Sequence, residues 1–151
     1  MTTIEVERAC LTPERFERAV DEALRARVHT QIGIVSAKLC CTNCTEAARE
    51  ELESWGPTSL HERGQVVLLA RGSLADLVAV AEDVRAAVST VVERLEGCDP
   101  AHVCLAVAAE NETPDSVIAR AANGHEALLE GSRPRRRRRT ARANLQLQFA
   151  P

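Results

Sequence analysis

Two short cysteine clusters carry most of the chemistry open to this sequence. Cys41-Thr42-Asn43-Cys44 is a Cys-x-x-Cys pair. That spacing aims two thiolates at one ion, and a helix starting there adds favourable partial charge. Cys98-Asp99-Pro100-Ala101-His102-Val103-Cys104 offers a cysteine, a histidine and a second cysteine within seven residues. Together they supply five candidate ligands, Cys41, Cys44, Cys98, His102 and Cys104, for the four positions of a tetrahedral zinc site. Zinc is therefore the expected cofactor, pinning the 41–44 turn to the 98–104 turn. Cys40 is a sixth candidate ligand, but in a continuing strand it faces away from Cys41. Cys10, Cys40 and Cys104 also read as small core residues, because unpaired cysteine is among the most buried residue types. A redox role for Cys41 and Cys44 is open too, since a helix N-terminus lowers a thiol's pKa. His29, His61 and His125 have no partner pattern.

The second chemical feature is an arginine run. Residues 132–151 hold seven arginines, Arg133, Arg135, Arg136, Arg137, Arg138, Arg139 and Arg142, and no acid. The whole chain has 19 Lys+Arg against 22 Asp+Glu, so residues 1–131 keep 12 basic and 22 acidic residues, a net of −10. This divides the chain into an acidic globular body, 1–131, and an arginine-rich tail, 132–151, expected to be flexible and disordered. The tail suits salt-dependent contact with RNA phosphates, or a nuclear-import label. A solvated tail that touches only the acidic body is the plainer alternative. Aromatic residues make up 2% of the chain, two Phe and one Trp with no Tyr. Stacking platforms for bases are nearly absent, so any RNA contact should be backbone-directed.

The elements that must position these groups follow from periodicity. Thr3 to Arg8 alternates as a short strand. Thr12 and Pro13 open a helix whose stripe is Phe16, Val20, Ala23 and Leu24. Val28 to Ser36 reads as a second strand. Asn43 and Glu46 form a plausible capping pair for a helix that carries Ala48, Leu52 and Trp55 to a stop at Gly56-Pro57. Val66 to Ala70 is a buried strand. Ser73 with Asp76 caps a long helix with Leu77, Val80, Val84, Val88, Val91 and Leu95 on one stripe, ended by Gly97. Ala101 to Ala109 is a fourth strand. Thr113-Pro114 opens another helix, which Asn123-Gly124 interrupts. Leu145, Leu147 and Phe149 alternate with Gln146 and Gln148, the pattern of a short edge strand. The expected fold is a small α+β or α/β domain of alternating strands and helices, stabilised by zinc.

No apolar run is long enough to span a membrane. The N-terminal residues lack an apolar signal core and Gln-Phe-Ala-Pro is no prenylation signal, so an intracellular, reducing setting is expected. No Gly-rich phosphate loop, metalloprotease His-Glu pair or serine elbow occurs, so the chain is expected not to be an enzyme.

With Met1-Thr2-Thr3-Ile4-Glu5-Val6, Cys41-Thr42-Asn43-Cys44-Thr45 and Cys98 to His102 with Cys104, the chain resembles the small first-reading-frame proteins of sobemoviruses, plant RNA viruses. That resemblance implies a non-enzymatic suppressor of RNA silencing that supports cell-to-cell and systemic movement and binds zinc through cysteine and histidine. Its partners would be host silencing proteins or RNA, and other viral proteins, in the host cytoplasm, with nuclear import through the arginine run. The chain lacks a second Cys-x-x-Cys. The stretch from Gln31 to Val84 also resembles a heavy-metal-associated domain: a strand leading to Leu39, Cys41 and Cys44, a helix with Ala48, Leu52 and Trp55, a strand ending at Gly72, then a helix. That resemblance implies a metal carrier or sensor that holds copper(I) or another soft metal on Cys41 and Cys44 alone. A bacterial interaction module is the third reading.

Overall fold

The computed structural model describes residues 10–62, 64–95, 97–131 and 143–148. In chain order its elements are α1 (Pro13–Ala26), β1 (Gln31–Lys38), α2 (Thr42–Glu53), β2 (Thr58–Leu60), β3 (Gln65–Gly72), α3 (Leu74–Arg94), β4 (Ala101–Val107), α4 (Pro114–Gly131) and β5 (Ala143–Gln148). This is the expected small domain of alternating strands and helices. The helix starts follow their side chains. Thr12 Oγ1 accepts from the Arg15 N–H, with Pro13 in the first helical position of α1. At α3, the Asp76 N–H donates to Ser73 Oγ at 3.1 Å and the Ser73 N–H donates to the Asp76 carboxylate at 3.0 Å, a reciprocal cap.

The sheet order is β2-β3-β1-β4-β5. Central β1 pairs antiparallel with β3, from Gln31↔Gly72 to Lys38↔Gln65, and with β4, from Gly33↔Val107 to Lys38↔His102. β5 joins β4 in parallel, in register from Ala101↔Ala143 to Ala106↔Gln148. The run β1-α2-β2-β3-α3-β4 around a central β1 is a split βαβ arrangement.

Strand alternation feeds two cores, one on each face. Val35, Ala37, Val66, Leu68, Val103 and Leu105 meet Cys44, Ala48 and Leu52 of α2 and Leu77, Val84 and Val88 of α3. Ile32, Ile34, Val67, Leu69 and Ala106 meet Phe16, Val20 and Ala23 of α1 and Val117, Ile118 and Ala121 of α4. The result is a three-layer sandwich, α2/α3 over the sheet over α1/α4. Which face a residue occupies decides whether it reaches the thiol site.

Several expectations need correction. β1 begins at Gln31, and Val28 is 78% exposed. Its partner β3 ends at Gly72 opposite Gln31, so residues 28–30 have nothing to pair with there. Trp55 is 38% exposed, because α2 ends at Glu53 and the tryptophan leaves the helical period. Asn123-Gly124 does not break α4. Ala121, Ala122 and Gly124 are buried, and Ser36 Oγ and Gln65 Nε2 donate to the carbonyls of Ala121 and Ala122. That packing outweighs the ~1 kcal/mol a helical glycine costs. The three-residue β2, Thr58–Leu60, carries no hydrophobic alternation that would mark it in the sequence. Residues 143–148, assigned by composition to the flexible tail, form edge strand β5, as the alternation around Leu145 and Leu147 suggests. The Thr3–Arg8 strand lies outside the described residues.

Candidate metal centre

The site forms where β1 ends and α2 begins. β1 stops at Lys38, so Leu39 and Cys40 turn out of the sheet. The Leu39 N–H donates to the Gly64 carbonyl at 2.7 Å, tying this turn to the loop before β3. Gly64 has φ +78°, and a Cβ there would lie 2.9 Å from the Leu39 carbonyl oxygen, so only glycine fits without movement.

Cys41, and not Asn43, caps α2. The Cys44 N–H donates to Cys41 Sγ at 3.5 Å. The Cys41 carbonyl accepts from the Thr45 N–H at 3.0 Å and from Thr45 Oγ1 at 2.8 Å. One helical turn on, the Cys44 side chain faces inward and is fully buried in the α2/α3 core.

The fourth thiol arrives from the other end of α3. Leu95 is its C-cap, and Gly97 turns the chain with φ +83°. Cys98 then packs, partly buried, against the same core. Its Sγ lies 3.7 Å from Cys41 Sγ. The sulfurs of Cys40, Cys41, Cys44 and Cys98 all lie within 4.8 Å of one another, and this group could hold a metal ion.

Three of the five expected ligands, Cys41, Cys44 and Cys98, thus come together. His102 and Cys104 do not join them. On β4 they alternate with Val103 and Leu105, so they share the α1/α4 face with Ala106 while the thiols share the α2/α3 face. Cys104 is fully buried and close enough to α4 that the Arg120 guanidinium acts on its thiol, although burial dominates and pushes it up to about 11. It is a core residue. His102 pairs in register with Lys38. Burial first, and the Lys38 charge second, lower its pKa, and its Nδ1 is buried without a hydrogen-bond partner among the described residues.

Cys40, expected to face away, is the fourth member. The expectation assumed a strand through residue 40, whereas the turn after Lys38 resets the alternation. The signal that could have found it is the run Cys40-Cys41 directly before a helix start.

The electrostatics separate the thiols. The backbone N–H of Cys44, followed by the Cys44 thiol, lowers Cys41 to about 7. Burial pushes the Cys44 thiol strongly upward. Cys40 and Cys41 are exposed, and both border a cleft of about 590 Å³ that also involves Lys38, Glu46, Glu62 and Gln65. The arginines Arg133, Arg135 to Arg139 and Arg142 lie outside the described residues. No helix is long and apolar enough to cross a membrane among those that are described.

The fold is similar to the crystal structure of the coiled coil and GGDEF domain of DgcB from Caulobacter crescentus, in complex with c-di-GMP. The match has a TM-score of 0.66 and covers 93% of this chain and 82% of that one. The two sequences are 14% identical, so the likeness is one of fold alone. No family model and no curated protein sequence matches the chain.

Proposed function

We propose that the protein is a non-enzymatic metal-thiolate module that binds one zinc ion through Cys40, Cys41, Cys44 and Cys98. One observation carries this reading: four sulfurs from two distant turns lie within 4.8 Å of one another. A zinc ion bound at ~2.3 Å by four tetrahedral thiolates requires sulfur-sulfur edges of roughly 3.8 Å. The Cys41–Cys98 separation of 3.7 Å already matches that edge. Four thiolates on a divalent ion carry net negative charge, which the N-terminus of α2 is placed to offset.

Zinc here would fasten the β1–α2 turn to the α3–β4 turn, which adds binding free energy to folding in a domain nearly without aromatic residues. The exposed Cys40 and Cys41 leave the ion reachable from the cleft. Four thiolates make a closed, structural type of zinc site, and the exposure of two of them gives other thiols a route to the ion for an exchangeable, metal-sensing or metal-carrying role. A carrier using only Cys41 and Cys44 engages half of the gathered thiols. Copper(I) binding that ignores Cys40 and Cys98 would favour it.

Cobalt(II) substitution tests the coordination. A tetrathiolate site gives the intense d–d bands of tetrahedral cobalt together with strong thiolate charge-transfer absorption. Weak octahedral bands would contradict it.

Silencing suppression and virus movement rest on the sequence resemblance and on the arginine run, which the thiol geometry neither needs nor extends. Salt-dependent retention of a short RNA duplex by the full chain, lost on deleting residues 132–142, is the corresponding test.

A further inference from the structure

We propose that Cys41 and Cys98 form a redox pair, oxidised to a disulfide by a peroxide, and that this bond dismantles the metal site. The geometry stands on its own, and only the metal-release consequence rests on the zinc reading above. The two sulfurs are 3.7 Å apart, against ~2.05 Å in a disulfide, so closure requires each side to move by less than an ångström. Both residues sit at the edge of an element. Cys41 is the N-cap of α2, extended in backbone and bonded to the helix only through its carbonyl and its sulfur, and Cys98 follows Gly97 in the connection to β4. A Cβ at Gly97 would meet nothing within 4 Å, so that turn has open space around it.

Access orders the steps. Cys41 is exposed, Cys98 is partly buried and Cys44 is fully buried. The Cys41 thiolate attacks one oxygen of hydrogen peroxide and the O–O bond breaks. The product is a sulfenic acid on Cys41, and hydroxide leaves. The Cys98 thiolate then attacks the Cys41 sulfur, the S–O bond breaks and a second hydroxide leaves. Each sulfur gives up one electron, and the peroxide takes both. The two hydroxides become water by taking two protons from solvent. A zinc ion would lose two of its four thiolates and keep only Cys40 and Cys44. Cys44 is held inside α2 and fully buried in its core, so it is less free to move onto the Cys41 sulfur than Cys98 is beyond the open Gly97 turn, and Cys40 adjoins Cys41 in sequence, where a disulfide would strain the intervening peptide.

The test oxidises the full chain with one equivalent of hydrogen peroxide, in zinc-loaded and metal-free forms, and maps disulfides under non-reducing conditions by mass spectrometry. A chromophoric chelator reports released zinc. The expected result is a Cys41–Cys98 link in the metal-free chain, reversed by dithiothreitol. In the loaded chain, zinc should be released in step with the same link. Cys98→Ala should leave a Cys41 sulfenic acid that dimedone traps. A dominant link between Cys41 and Cys44, or over-oxidation of Cys41 without any link, would overturn the pair. A Cys41–Cys98 link in a chain that never bound zinc would uphold the pair and remove the zinc reading instead.

Discussion

Cys41 and Cys98 lie 57 positions apart in sequence, yet their sulfurs meet at 3.7 Å across the end of one sheet face. The long helix α3 accounts for this. It returns the chain over the α2/α3 face and releases it at Leu95, beside the start of α2. A bond through metal between these two turns constrains a long stretch of chain, so metal loading and fold stability should be coupled.

The first expectation concerns that coupling. At free zinc 100-fold above its dissociation constant, binding stabilises the folded chain by about 2.7 kcal/mol. For a chain of this size that corresponds to roughly 5–10 °C in Tm. Thermal unfolding with and without a strong chelator measures it. An unchanged Tm in a chain shown to hold zinc would mean that the ion does not bridge the two turns.

Thiol reactivity gives a second expectation, read on metal-free protein. Cys41 is lowered to about 7 by the Cys44 N–H, while burial raises Cys104 to about 11 and drives Cys44 up as well. Iodoacetamide at pH 7.5 should therefore label Cys41 well before Cys44 or Cys104. The sign for stability follows: a thiol depressed on folding stabilises the fold fully only above its unfolded value of 9.0, and that contribution fades as pH falls through about 7. Zinc affinity should weaken over the same descent, because protons compete for the sulfurs.

Gly64 supplies a third. Its φ of +78° and the Leu39 carbonyl 2.9 Å from a would-be Cβ set the turn that presents Cys40. Gly64→Ala should cost about 1–2 kcal/mol in denaturant unfolding, from the left-handed backbone and the clash together. It should also weaken metal binding. Gly97→Ala, with open space and φ +83°, should cost only the backbone share, ~1 kcal/mol.

A fourth concerns acid stability, away from the thiols. Burial opposes ionisation of Glu112, but hydrogen bonds from Arg120, Ser116 and the Ala109 N–H outweigh it and hold the carboxyl at about 2. Arg120 also donates to the Val107 carbonyl at 2.7 Å, so the group fixes the connection between β4 and α4. A depressed carboxyl stabilises the fold above its ordinary value of 4.5 and loses that contribution as pH falls toward 2. Glu112→Gln should flatten the stability profile across that window, measured by urea unfolding at several pH values.

Much of this arrangement was legible in the sequence because local chemistry and tertiary structure agree. Thr12-Pro13, the Ser73/Asp76 pair and the Val84–Val88 stripe each specify an element without help from distant contacts. The Cys-x-x-Cys pair and Cys98 could be named as candidate ligands because both fall at turns next to helix ends. What failed were positions decided by the sheet. Cys40 depends on β1 stopping at Lys38, which is where its pairing with Gln65 of β3 and His102 of β4 also stops. His102 and Cys104 depend on the phase of β4, which sends alternate residues to opposite layers. Ligand spacing in sequence carries no record of which layer a strand residue faces. Asn123-Gly124 misled for a related reason, since burial against the sheet kept α4 continuous through a local turn signal.

Zinc content of the freshly purified full chain, measured beside four single variants, tests the tetrathiolate site most directly. About one zinc per chain is expected in the native protein, in His102→Ala and in Cys104→Ala, and close to none in Cys40→Ser and Cys98→Ser. Full zinc content in folded Cys40→Ser, or its loss in folded Cys104→Ala or His102→Ala, would contradict the site as built here.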